Sequence, residues 1–163
     1  MLFDFATISP QDRFKLLAST VLPRPVAWIA TLDRDGRLNA APFSFFNAFA
    51  GEPPVVGIGM GSHEPGRPRD TRCNIRDTGQ FVVNLVSEKM AESMNVTAIE
   101  FEFGTNELHE AGLQTVPSAQ VRPPRISGCP VAMECELMQI VELGPDWALV
   151  LGRGLQCTYR MSL

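Results

Sequence analysis

Thirteen glycines and thirteen prolines are spread along 163 residues and cut most of the chain into short runs. Both residues are at home in turns and costly inside helices. This alone predicts a chain of short strands and tight turns rather than long helices. A chain of 17.9 kDa is the size of one domain, able to bury about 68–70% of the surface its unfolded form exposes. One domain over residues 1–163 is therefore expected, with no disulfide or metal staple needed. Net charge is −4 and the pI is near 5.2, which weighs against nucleic acid and anionic membranes as partners. No apolar window has the length of a membrane span. The start, with Asp4 early and no basic segment before an apolar run, is not a secretory signal. A cytoplasmic protein is expected. Cys73, Cys129, Cys135 and Cys157 form no CxxC pair and there are two histidines, His63 and His109. No metal site is expected, and the cysteines read as reduced, small packing residues.

The strands follow from β-branched and aromatic content and from alternation. They are predicted at 26–32, from about Arg37 through Phe49, 55–60, 80–86, 131–143 with an interruption at Gln139, and 147–151. Asp33-Arg34-Asp35-Gly36 is a hairpin signal. Pro42 marks an edge or a bulge. Ser9-Pro10-Gln11-Asp12 opens a short helix whose Phe14, Leu16 and Leu17 are expected to be buried, and Pro23 and Pro25 close it. A second helix is predicted from an Asp70 cap to Gly79. Small helices follow, one after a Ser87 cap and one around Glu107 to Ala111 ending at Gly112. Most connections are too short for parallel crossovers. The expected fold is mainly β, a closed or nearly closed antiparallel barrel, which removes sheet edges.

Two constellations carry possible chemistry. Arg67, Arg69, Asp70, Thr71, Arg72, Asn74 and Arg76 gather around a predicted helix start in an acidic chain. Oriented backbone N–H groups, the positive dipole end, a hydroxyl and a cation suit a phosphate monoester. A capped surface helix with solvated arginines is the equal alternative. The second joins Arg24, Trp28, Ile29, Ala30 and Thr31 to Ala41-Pro42-Phe43 and to Ser44, Phe45, Phe46 and Asn47. Rings, small residues, hydroxyls and an amide suit a flat conjugated ligand. Core packing is the alternative. Gly57, Gly59 and Gly61 are not a dinucleotide turn, because two prolines follow instead of a helix. They read as strand positions that something approaches closely. No catalytic dyad stands out. Glu134 and Glu136 read as a solvated face, and the two histidines as surface residues. Such a chain suits chemistry performed by a bound cofactor.

Taken in order, Pro23 to Thr31, Asp35-Gly36 with Asn39, Ala41 to Asn47, Pro53-Pro54, Arg69-Asp70-Thr71 with Asn74-Ile75, Phe81 to Leu85, Ala111-Gly112-Leu113 and Cys129 to Leu137 resemble the flavin reductase-like family. This is the flavoredoxin-like branch of the FMN-binding split barrels. The resemblance implies a six-stranded antiparallel Greek-key split barrel and a homodimer binding FMN near the subunit interface. It implies an electron donor, NADH or NADPH, and a small-molecule or protein acceptor. By position it assigns Arg24, Trp28, Ile29, Ala30, Thr31, Ser44, Phe45, Phe46, Asn47, Arg69, Asp70, Thr71 and Asn74 to the cofactor. Arg69 and Thr71 fall on the phosphate, and Ala30 and Phe45 supply backbone amides at the ring edge. A flavin-carrying electron-transfer module without direct NAD(P)H activity, and a non-catalytic flavin-binding barrel, are the alternatives. After Gly152 the sequence departs from the family pattern, Gly154 weakens the strand signal, and the tail reads as shortened or altered.

Overall fold

The computed structural model describes residues 1–62, 64–99 and 107–160. The predicted surface residue His63 lies outside them. Helix α1 (Pro10–Thr20) starts where the Ser9 hydroxyl accepts the Asp12 N–H at 3.1 Å. Its apolar residues do not reach a core. No residue of α1 is buried, and Phe14 and Leu17 are close to half exposed.

Strands β1 (Ala27–Leu32) and β2 (Leu38–Phe43) form the hairpin marked by Asp33 to Gly36, with Gly36 at φ 83°. The long strand predicted from Arg37 through Phe49 is instead two. The chain turns a corner at Ser44-Phe45 and continues as β3 (Phe46–Gly51), paired with β4 (Pro54–Gly61). Helix α2 (Asp70–Thr78) follows and stops at Gly79, whose φ of 73° is the left-handed conformation a helix stop uses. Arg69 holds the N-cap position without a side-chain cap, so Asp70 is the first helical residue rather than the cap.

After β5 (Gln80–Leu85) come a 3-10 turn at Glu88–Met90, α3 (Ala91–Val96) and α4 (Glu107–Glu110). The two-residue strands β6 (Thr115–Val116) and β7 (Arg125–Ile126) make a separate ribbon. Two long strands, β8 (Val131–Glu142) and β9 (Trp147–Tyr159), complete the chain. The expected end near Leu151 is overturned, since β9 runs on across Gly152 and Gly154. Gly152 has a reason to be glycine. A Cβ there would collide with the Phe81 ring.

The main sheet has seven antiparallel strands in the order β2-β1-β5-β8-β9-β4-β3, one more than expected because of the Ser44-Phe45 corner. The two edges of the sheet, β2 and β3, are consecutive in sequence and joined only by that corner. The sheet is therefore a split barrel whose seam lies between its first and last strands. Pro42 sits on the β2 edge, where its missing N–H costs no ladder bond. Ala27, Ile29, Phe43, Val56, Ile58, Met60, Phe81, Val83, Cys135 and Val150 fill the inside, and Ile75 of α2 packs into the same core.

The opposite pleat faces an outer layer. Trp28 and Ala40 pack there with Leu108, Ile126 and Cys129, and Ala30 with Val82, Val121 and Ala132. This layer also overturns the solvated reading of Glu134. Its carboxylate is fully buried and accepts the backbone N–H groups of Ala119 (3.0 Å) and Gln120 (2.6 Å), with Arg125 Nε at 3.9 Å. Cys129 and Cys135 are buried as expected of packing residues, whereas Cys157 is exposed.

Candidate functional site

A cleft of about 1050 Å³ opens at the seam. One side is β2, through Asn39, Ala41, Pro42 and Phe43. The Ser44-Phe45 corner forms its turn, and Gly59 and Gly61 of β4 the facing side. Phe14 of α1, Trp147 of β9 and the start of α2 at Arg69, Asp70 and Thr71 close it.

The apolar wall is a stack of rings. Phe45 lies on Trp147 with centroids 5.3 Å apart and planes 25° apart, and Phe14 tilts against both at 5.8 and 6.0 Å. Glycines make the stack possible. A Cβ at Gly59 would come 3.0 Å from the Phe45 Cβ, and one at Gly61 would come 3.0 Å from the Trp147 ring. Phe49 packs on Gly57 the same way, so all three close approaches expected from the glycine run are present, each made by an aromatic side chain. The corner is pinned by the Gly59 N–H donating to the Phe45 carbonyl at 2.7 Å.

The polar end is built on α2. The first N–H groups of a helix have no intrahelical acceptor and carry the positive end of the dipole. Arg69 is half-buried there, and among the described residues its guanidinium makes no hydrogen bond or ion pair. Two buried amide-to-hydroxyl bonds fix the helix on the sheet. Asn39 Nδ2 donates to Thr71 Oγ1 at 2.9 Å, and Asn74 Nδ2 donates to Thr31 Oγ1 at 3.1 Å. On the far side Arg72 donates to both Glu142 carboxylate oxygens at 2.5 and 2.7 Å.

Of the residues expected at the cofactor, the structure brings Ser44, Phe45, Arg69, Asp70 and Thr71 together in the cleft. Phe46, Asn47 and Arg24 lie instead around an adjoining apolar hollow of about 310 Å³, which shares Ser44 and Phe45 with the cleft. Arg24 is committed to α1. It donates to the carbonyls of Ala18 (2.5 Å) and Val21 (2.7 Å), a cation at a helix C-terminus, and lies 5.5 Å over the Phe45 ring.

Trp28, Ile29, Ala30, Thr31 and Asn74 reach neither space, which corrects the expectation. The first four are completely buried and Asn74 nearly so. From Trp28 to Ala30, β1 is paired on both edges, with β2 and with β5, so its backbone amides serve the ladder rather than a ligand. Trp28 Nε1 donates to Thr97 Oγ1 at 2.9 Å in the outer layer. Thr31 and Asn74 act on the site from beneath, by holding α2.

Residues the sequence reading missed include Phe14, Trp147 and Ser62. Gly59, Gly61 and Asn39 were visible as a close-approach run and as part of the family pattern, without a role in the site. Among the described residues no three His, Cys, Asp or Glu side chains gather to hold a metal, and no helix is long and apolar enough to cross a membrane.

A split barrel with an aromatic-walled cleft that ends at a helix start and an arginine defines the class of protein. Residues 18–162 match the flavin reductase like domain, and the chain belongs to that family. An uncharacterized protein of Deinococcus radiodurans is 40% identical over 157 residues, covering 94% of this chain and 69% of that protein. Among solved structures, nitrilotriacetate monooxygenase component B from Bacillus cereus superposes with a TM-score of 0.94 at 29% identity, covering 98% of this chain and 81% of the other. The 2-nitrobenzoate 2-nitroreductase NbaA of Pseudomonas fluorescens gives 0.89 at 31% identity, covering 98% and 77%. The family implies a flavin cofactor and an oxidoreductase of the flavin reductase type. The cleft fits such a group. Its volume is just above that of ordinary ligand sites, about 300–1,000 Å³, one wall is aromatic, and a cation stands at a helix start.

Proposed function

We propose that this chain is an NAD(P)H-dependent flavin oxidoreductase that binds FMN in the seam cleft, with NADH or NADPH as donor and a small molecule or protein as acceptor, and that it works as a cytoplasmic homodimer. One observation carries the reading. A single cleft holds both a stacked aromatic wall and an arginine at a helix start with no partner among the described residues. One arginine and one helix start match the single phosphate of FMN. The redox names of the two solved neighbours support an oxidoreductase.

Bound flavin supplies the acceptance of hydride from a nicotinamide and the onward delivery of electrons. The residues present do the rest. Arg69 offers a planar fork to the phosphate oxygens, and the first turn of α2 adds backbone donors and dipole. Asn39 and Thr71 hold each other, and with them the angle at which that turn meets β2. Phe14, Phe45 and Trp147 exclude water from one side of the cleft and present a flat apolar face. Asp70 is the one carboxylate among the described residues that line the cleft, and as the first residue of α2 it is spent on the helix dipole. Orientation and the exclusion of water are the contribution these residues make.

The test is absorbance titration of purified protein with FMN, followed by anaerobic mixing with NADH and with NADPH. The expected result is a protein-bound flavin spectrum that bleaches with one nucleotide. Failure to take up FMN overturns the proposal. Uptake without bleaching by either nucleotide removes the reductase activity and leaves a flavin-carrying electron-transfer module.

A further inference from the structure

We infer that Thr97 is a positioning residue of the seam cleft. It hangs the turn after α3 on the Trp28 indole, so that Ala98 and Ile99 stand as a second apolar wall for the flavin ring. This rests on the flavin reading above and adds a contact that the stack of Phe14, Phe45 and Trp147 does not supply.

The wall is the first observation. Thr97, Ala98 and Ile99 all line the cleft. They reach it from the end of α3, whereas the rings come from α1, the corner and β9. Thr97 is buried, but Ala98 is exposed and Ile99 is 59% exposed. The isoleucine therefore has apolar surface to remove from water when the cleft fills. An aliphatic side chain has no charge and no donor, so it has nothing to offer a phosphate. What it can cover is the ring.

The anchor is the second observation. Helix α3 is six residues long and none of them is buried, so its own packing does little to fix where it ends. One hydroxyl does. Thr97 Oγ1 accepts the Trp28 Nε1–H at 2.9 Å and donates to the Met94 carbonyl at 2.7 Å, the two roles a hydroxyl can fill at once. The first bond ties the turn to β1, where Trp28 is completely buried. The second closes the last turn of α3. From there the Ala98 N–H donates to the Asn95 carbonyl at 3.1 Å and the Ile99 N–H to the Val96 carbonyl at 3.2 Å. The place of Ile99 at the cleft follows from the place of Thr97. Trp28 does not touch the cleft, yet its N–H sets where this wall stands.

The experiment compares wild type, Ile99→Ala, Thr97→Val and Thr97→Ser, each checked for a native circular dichroism spectrum. Three quantities are read: Kd for FMN and Kd for riboflavin by flavin fluorescence, and amide exchange at Ala98 and Ile99 in the flavin-free protein. Ile99→Ala is expected to raise both Kd values about 3- to 10-fold, the scale of part of one aliphatic side chain, with its urea midpoint unchanged. Thr97→Val keeps the shape and strands the Trp28 N–H. It is expected to speed exchange at Ala98 and Ile99 about 3- to 10-fold, the scale of one lost hydrogen bond, and to raise both Kd values. Thr97→Ser restores the hydroxyl and recovers most of the loss. An Ile99→Ala protein that binds both flavins like wild type overturns the wall, and so does a loss confined to FMN, which would put the contact at the phosphate. Faster exchange in Thr97→Val with both Kd values unmoved, or no recovery in Thr97→Ser, overturns the positioning role. Wild type that takes up neither flavin overturns the flavin reading, and the wall with it.

Discussion

Strand β1 and the Ser44-Phe45 corner are joined by the same hairpin, and they differ in what lies on each side of them. From Trp28 to Ala30, β1 has a paired strand on either edge and a packed layer on either face. The corner has neither, because it is where the sheet's two edge strands meet without a ladder between them. Both stretches carry aromatic and hydroxyl side chains. In β1 these are spent on stability, with Trp28 in the outer layer and Thr31 under α2. At the corner they are left for a ligand. A side chain is available to chemistry where the backbone hydrogen-bond pattern runs out.

The sharpest way to break this contrast is to truncate one ring in each region. Trp28→Ala empties a fully buried site and is expected to cost about 3–5 kcal/mol of stability in urea unfolding. Phe45→Ala removes a half-buried ring at the seam and is expected to cost less than about 2 kcal/mol while weakening FMN binding. Equal losses of stability would mean the corner is core after all.

Next come the two arginines assigned to the cofactor. Arg69→Ala is expected to weaken FMN binding by about 1.5–3 kcal/mol, the scale of a charged hydrogen bond, with the melting temperature of the flavin-free protein nearly unchanged. Arg24→Ala should do the reverse, loosening α1 by about 1 kcal/mol through its lost C-terminal cation and sparing affinity. An FMN affinity untouched by loss of Arg69 would move the anion site elsewhere.

Alkaline pH probes how dry both faces of the sheet are. Burial pushes the thiols of Cys129 and Cys135 up to about 12 from 9.0. Cys129 is in the outer layer beside Trp28, and Cys135 in the barrel interior. Their folded pKa lies above the unfolded one, so their contribution is complete below pH 9 and is lost as pH rises toward about 12. The slope is at most about 1.4 kcal/mol per pH unit for each thiol. Urea midpoints at pH 8 and pH 10.5 should fall further apart in wild type than in a Cys129→Ala, Cys135→Ala double variant. Parallel falls would mean that water reaches these thiols.

Much of this architecture is legible along the chain. Alternation placed the strands, Gly79 and Gly36 marked turns that need positive φ, and the glycines of β4 announced that something bulky leans on them. That Arg69 and Thr71 stand at a helix start could be read from the chain because a helix start is a local feature. What could not be read is partnership. No glycine or proline marks the break at Ser44-Phe45. The break exists because Phe46 pairs with Ile58 rather than continuing beside β1. Trp28 and Phe45 look alike until pleat parity and the number of paired edges separate them. Glu134 looked solvated because its donors are backbone N–H groups of Ala119 and Gln120, which leave no trace in residue type. Trp147 and Phe14 lie far apart in the chain and meet only through the fold.

The seam has one more consequence. A molecule resting on β2, the corner and β4 at once ties one free margin of the sheet to the strand beside the other, like a clasp across the gap in an open bracelet. Filling the cleft then opposes the parting of those margins, and the apo protein should breathe there first: amide exchange along β2 and β3 should slow on FMN binding well before it changes in β5 or β8.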